Sequence, residues 1–201
     1  MAEPLPTHAR IVIIGGGVAG CSVAYHLAKL GIKDVVLLER GTLTCGTSWH
    51  AAGLIMQLRT TAALTELCTY TAKLYGRLEA ETGQATGFKQ VGSLPVARND
   101  DRWTEIKRLA SLGRYFNIDA HILSPNEAVK HHPLVDPSRI VGALFIPGDG
   151  QTDPVGTVMA LAKGARTGGV RIFEQTSVTG IDVKGGQVSG VNTASGRIAC
   201  E

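Results

Sequence analysis

The chain has 201 residues, 44% of them hydrophobic, with 25 glycines and a formal net charge of +3, which suits one sizeable soluble domain or one and a half small ones. Lysine and arginine are spread without a basic block or a basic stripe interleaved with aromatics, which argues against a nucleic-acid partner. No apolar run approaches the ~18 residues of a membrane span. The four cysteines, Cys21, Cys45, Cys68 and Cys200, lack CxxC spacing, so neither a metal site nor a disulfide framework is expected.

The N-terminal MAEPLPTHAR has no apolar centre of secretion-signal length and is too short for a transit segment. Together with the unpatterned cysteines, this predicts a cytoplasmic protein of bacterial type, with the mitochondrial matrix as the alternative. Ile11 to Ile14 is a short all-apolar run, read as a buried parallel strand. A helix is predicted from Cys21 to Leu30, with Val23, Ala24, Leu27 and Leu30 at helical spacing and Gly31 as its stop. Val35 to Leu38 predicts a second buried strand and completes a βαβ unit.

A Gly- and Thr-rich loop follows from Arg40 to Ser48. Ala63, Leu64, Leu67, Tyr70, Leu74 and Leu78 then mark a long amphipathic helix ended by Gly83. Further on come a strand over Ser93 to Ala97, a helix over Asp101 to Phe116, a capping box at Ser124-Pro-Asn-Glu127 and a helix from Asp153-Pro154 through Ala165. Pro147 to Gly150 reads as a turn, and Arg171 to Glu174 as the third strand of the parallel sheet. From Ser177 the pattern changes to an antiparallel meander, with turns at Gly185-Gly186 and Ala194-Ser195-Gly196.

Gly15, Gly17 and Gly20 form G-x-G-x-x-G directly between the first strand and the first helix. The first glycine permits the tight turn, the second lets backbone approach a pyrophosphate, and the third lets helix pack on strand. Glu39, 24 positions after Gly15, ends the second strand where a carboxylate accepts bonds from a ribose diol and disfavours a 2′-phosphate. Both NAD and FAD use this fingerprint. The small-residue segment ERGTLTCGTSWHAAGL and the late meander favour FAD.

Several segments carry a more specific likeness: LTCGTSWHAAGL, KLYGRLEAETGQATGFKQVGSLPVA, IKRLASLG, HILSP and PGDGQTDPVGTVMALAKGAR. From Ile11 to about Val183 the chain resembles the dimethylglycine and sarcosine dehydrogenases, members of the D-amino-acid-oxidase-like FAD-dependent oxidoreductases. The resemblance implies that His50 carries the flavin covalently, with Gly46, Thr47, Ser48, Ala52, Gly53 and Leu54 beside the ring. It places Val18 and Ala19 at the pyrophosphate turn, Glu39 and Arg40 at the adenosine ribose, and the backbone of Val178 at the adenine. Without the resemblance, His50 reads equally as a packed histidine with both nitrogens satisfied. Cys45 departs from the family pattern, where Ser or Ala is expected. Arg59 reads either as a contact for a substrate carboxylate or as a surface arginine at a helix start.

The implied fold is an α/β, doubly wound Rossmann-like FAD-binding sheet with an antiparallel meander and part of an α+β substrate domain. Residues 1–60 would form the βαβ unit and flavin-attachment loop, 61–150 part of the substrate domain, and 151–201 the return to the FAD domain and its meander. Three parallel strands are fewer than such a sheet requires, so a piece of a longer protein is expected, inactive alone, with catalytic residues beyond Glu201. The implied reaction is oxidative demethylation of an N-methylated glycine, with FAD as cofactor. An electron-transfer flavoprotein would be the electron acceptor, and tetrahydrofolate would be used only by a C-terminal region outside this chain. The alternatives are a related FAD amino-acid or amine oxidase and a non-catalytic flavoprotein-like regulatory subunit.

Overall fold

The computed structural model describes residues 3–201. In chain order its elements begin with β1 (Ile11–Ile14), α1 (Val18–Lys29), β2 (Val35–Leu38), a 3-10 turn (Ser48–His50) and β3 (Leu54–Ile55). Next come α2 (Ala62–Thr82), β4 (Val96–Ala97), α3 (Asp100–Tyr115), β5 (His121–Leu123), α4 (Pro125–His131) and β6 (Gly142–Phe145). The last are β7 (Gly150–Gln151), α5 (Pro154–Thr167), β8 (Arg171–Phe173), β9 (Val178–Lys184), β10 (Gln187–Thr193) and β11 (Gly196–Ala199). The chain divides into two compact units: residues 1–52, 78–86 and 153–201, and residues 53–77 and 87–152. No helix among the described residues is long and apolar enough to cross a membrane.

The first unit is built on a parallel sheet of order β1-β2-β8. All four residues of β2 are buried, as expected of a central strand covered on both faces. Val36 and Leu38 join Ala9, Val191 and Ile198 in one apolar cluster, so the meander of β9, β10 and β11 lies against that face. Burying a side chain such as Leu38 contributes roughly 1.5–3 kcal/mol.

Helix α1 packs against α5. The approach is close because α5 presents glycine: a Cβ on Gly164 would lie 2.7 Å from the Tyr25 ring, and one on Gly168 2.5 Å from Ala28 Cβ. Helix α1 starts at Val18, three residues before the sequence pattern suggests. Its N-cap is Gly17, which has no side chain to announce a helix start. Asp153 caps α5 as its sequence predicts, accepting the Val155 and Gly156 N–H groups at 3.1 and 3.0 Å.

The second unit contains the antiparallel sheet β4-β6-β5 and the two-stranded pair β3-β7. Ile106 and Ala110 of α3 pack on Ala97, Leu144 and Ile146 to form its core. The strand expected from Ser93 is shortened to Val96–Ala97, since Pro95 has no N–H to give a ladder. The capping box at α4 is complete: Ser124 Oγ accepts the Glu127 N–H, and the Glu127 carboxylate accepts the Ser124 N–H at 2.8 Å.

Candidate functional site

The turn from β1 into α1 is shaped by its glycines. Gly15 has φ of +109°, and a Cβ on Gly20 would overlap the Gly15 carbonyl oxygen. The chain can therefore enter α1 this tightly only with glycine at residue 20. No acidic side chain occupies the first turn of α1, so its N-terminal partial positive charge is uncompensated there. Ser48 reaches this turn, its Oγ accepting the Val18 N–H at 2.9 Å. Gly17, Val18 and Ser48 are thus neighbours, with Ala19 exposed on the same turn.

Glu39 is 7% exposed, and both carboxylate oxygens are engaged. Oε2 accepts the Gly16 N–H at 2.6 Å; Oε1 accepts the Gly41 N–H at 2.8 Å and the Cys45 thiol at 3.4 Å. Burial opposes the charge on this carboxylate, but the Gly41 and Gly16 N–H groups, helped by Cys45 and Arg40, hold its pKa below the usual carboxylate value. A ribose is therefore not the sole reason for an acid at the end of β2. Glu39 also ties the β1 turn to the loop that follows β2.

Gly15, Glu39, Arg40 and Val178, nominated from three separated stretches of sequence, line one cavity of about 400 Å³. Thr176 and Ser177 complete one side of it. The loop beside it is pinned from several directions. The Leu43 N–H donates to Glu174 Oε2 at 3.0 Å and the Thr44 N–H to the Gly16 carbonyl at 3.1 Å. The Gln175 N–H donates to the Gly41 carbonyl and the Thr176 N–H to the Glu39 carbonyl, both at 2.8 Å.

His50 closes the 3-10 turn, its N–H donating to the Thr47 carbonyl at 3.1 Å. Its ring is exposed and lies on the Trp49 ring, with centroids 3.8 Å apart. Among the described residues the imidazole is exposed rather than buried. Gly46 has open space around it, and Thr47 and Ala52 are exposed. Gly53 and Leu54 belong to the second unit. There Gly53, at φ +74°, accepts the Thr152 N–H, and Leu54 pairs with Gln151 in the β3–β7 ladder.

Sequence reasoning passed over two sets of residues. Gly16 lies inside the GGG run but outside the G-x-G-x-x-G count. A Cβ there would lie 2.5 Å from Leu43 Cδ2 and 2.9 Å from Glu39 Cβ. In the second unit Asp149, within the expected turn, is fully buried. It accepts the Gln57 N–H at 2.8 Å and the Ser93 hydroxyl at 2.6 Å. Asp149 and Arg59 both line a cavity of about 270 Å³ in that unit. Thr65 fixes the Arg59 backbone, its hydroxyl bonding both the N–H and the carbonyl at 3.1 Å.

Glycines without room for Cβ, a helix N-terminus, a buried carboxylate and an adjoining cavity suit the phosphates and ribose of a dinucleotide. Comparisons with known proteins agree. Residues 10–201 match the DAO family model, described as FAD dependent oxidoreductase. The chain is 45% identical to the mitochondrial sarcosine dehydrogenase of Homo sapiens over 98% of its own length and 22% of that protein's. It is 40% identical to the mitochondrial pyruvate dehydrogenase phosphatase regulatory subunit of Mus musculus, over 98% of this chain and 22% of that protein. The crystal structure of L-proline dehydrogenase from P. horikoshii superposes with a TM-score of 0.91 at 30% identity, covering 98% of this chain and 52% of that one. The chain thus spans about a fifth of these curated relatives and half of the structural neighbour.

Proposed function

This chain belongs to the DAO family of FAD-dependent oxidoreductases, and on that premise we propose that it supplies the dinucleotide-holding part of an enzyme that oxidatively demethylates an N-methylated glycine, sarcosine or dimethylglycine. The observation that carries the dinucleotide part of the reading is the cavity shared by Gly15, Glu39, Arg40 and Val178; the substrate class is supported by the 45% identity to a sarcosine dehydrogenase. FAD, when bound, supplies an acceptor for the hydride of the N-methyl carbon.

The chain's own residues bind and orient. Gly15 and Gly20 allow the tight turn into α1, and Gly17 leaves room for a pyrophosphate, which meets N–H groups and partial positive charge at Val18 and Ala19. Glu39 accepts from the ribose, Arg40 lies beside it, and the Val178 backbone reads the adenine. Gly46, Thr47, Ser48, Ala52, Gly53 and Leu54 offer small or backbone surface to the ring system. His50 is the point of covalent attachment, its exposed imidazole offering a nucleophilic nitrogen. An electron-transfer flavoprotein as electron acceptor and tetrahydrofolate as carbon acceptor belong to the same reading, as does a reducing compartment, bacterial cytoplasm or mitochondrial matrix. The described cysteines are all free, and the human relative is named as mitochondrial.

The test of attachment is acid precipitation, after incubation with FAD, of a full-length protein that contains this chain. The washed pellet is expected to stay yellow for the native sequence and to be colourless for His50→Ala; a colourless native pellet contradicts a covalent link.

The 40% identity to a phosphatase regulatory subunit favours a second reading, a flavoprotein scaffold without turnover. In a full-length protein that contains this chain, anaerobic bleaching of the bound flavin by sarcosine supports the dehydrogenase, and a flavin that stays oxidised under saturating sarcosine and dimethylglycine supports the regulatory scaffold. A related FAD oxidase would instead turn over with oxygen as sole acceptor.

A further inference from the structure

We propose that Cys45 is a specificity-determining residue: its thiol fills one acceptor position of Glu39, so that Glu39 takes one hydroxyl of a nucleotide's ribose rather than both. The inference rests on the dinucleotide reading above.

A carboxylate offers about four lone-pair positions, two on each oxygen. Oε1 of Glu39 already accepts the Gly41 N–H at 2.8 Å and the Cys45 thiol at 3.4 Å. Oε2 accepts only the Gly16 N–H among these donors, at 2.6 Å. Oε1 is therefore full, and one position remains on Oε2. Two vicinal ribose hydroxyls cannot both be accepted unless one protein donor leaves.

The backbone donors cannot leave without moving the β1 turn or the loop after β2. The thiol is also held. A Cβ on Gly41 would lie 2.8 Å from Cys45 Sγ, so the sulfur rests directly on that residue. The Cys45 N–H is fixed to the Thr42 carbonyl at 3.1 Å. Its hydrogen bond to Glu39 raises the thiol pKa, which keeps it a donor through the neutral range. Glu39 borders the cavity with Gly15, Arg40 and Val178, whereas Cys45 is outside its lining and reaches the same carboxylate through its bond to Oε1, so a ribose hydroxyl entering the cavity meets a carboxylate that the thiol already occupies.

The probes are ADP, 2′-deoxy-ADP and 3′-deoxy-ADP, titrated calorimetrically into the 201-residue chain. The native chain is expected to bind one deoxy analogue within about twofold of ADP and the other about 5–10-fold more weakly, the size of one hydrogen bond to a charged group. Cys45→Ala frees a position on Oε1, so both deoxy analogues should then fall about 5–10-fold below ADP. Cys45→Ser keeps a donor and should keep the native pattern. Equal penalties for both analogues in the native chain overturn the proposal, as does an unchanged pattern in Cys45→Ala. The comparison on the native chain decides the matter even if a variant folds poorly. Failure of the native chain to bind ADP at all overturns the dinucleotide reading itself, a result distinct from equal penalties.

Discussion

The Gly16 N–H donates to Glu39 Oε2 at 2.6 Å, joining residues 23 positions apart. Through this bond the turn after β1 and the end of β2 form one unit before any ligand is considered. The carboxylate that the family resemblance assigns to a ribose thus has a structural partner on each oxygen.

Replacing Glu39 by Gln keeps the shape but puts an NH2 group where one oxygen stood. One of the Gly16 and Gly41 N–H groups would then face a donor. The expected loss is about 1–3 kcal/mol, which for a chain of this size lowers the melting temperature by roughly 2–4 °C per kcal/mol. Thermal denaturation at pH 7 measures it; unchanged melting means that these bonds do not hold the turn.

The same group sets a pH dependence. Glu39 has its pKa lowered in the folded chain from the ordinary value of 4.5, because backbone N–H bonds outweigh the cost of burial. The unfolded chain therefore binds the proton more tightly than the folded one. The stabilisation is fully present above about pH 4.5 and is lost as pH falls through the lower folded value. Melting curves between pH 7 and pH 3 should fall less steeply for Glu39→Gln than for the native sequence. Parallel acid profiles assign the acid sensitivity to other carboxylates.

Gly20→Ala places a methyl group on the Gly15 carbonyl oxygen. Backbone cannot yield there as a flexible side chain can, so a loss of about 3 kcal/mol and of nucleotide binding is expected. Chemical denaturation together with ADP titration measures both; a stable variant that still binds would show that α1 can shift outward at no cost.

Cys45 should alkylate slowly for an exposed thiol, since its bond to Glu39 raises its pKa and lowers the thiolate fraction. Cys21 should be inert as well, because burial pushes its thiol up to about 12. Mass spectrometry after timed iodoacetamide treatment is expected to show faster labelling of Cys45 in Glu39→Gln. Equal rates would mean that the thiol bond does not govern its reactivity.

The βαβ unit, the amphipathic helix, the capping box and the meander were legible because each is announced locally, by apolar period or turn chemistry. The start of α1 was not, because glycine at the N-cap carries no side-chain signal. Gly16 escaped because its need for a missing Cβ comes from Leu43 and Glu39, distant in sequence. Asp149 escaped for the same reason: its partners Gln57 and Ser93 lie 92 and 56 residues away, so a buried anchor looked like an ordinary turn residue. The cavity at Gly15, Glu39, Arg40 and Val178 was approachable residue by residue, but only the β1-β2-β8 order with the adjoining meander brings them to one place.

The most direct measurement is a crystal structure of the chain grown with saturating ADP. The account requires the diphosphate at the first turn of α1, the ribose against Glu39 and the adenine beside Val178. A nucleotide bound elsewhere, or an ordered crystal with the Glu39 cavity filled only by solvent, would contradict it.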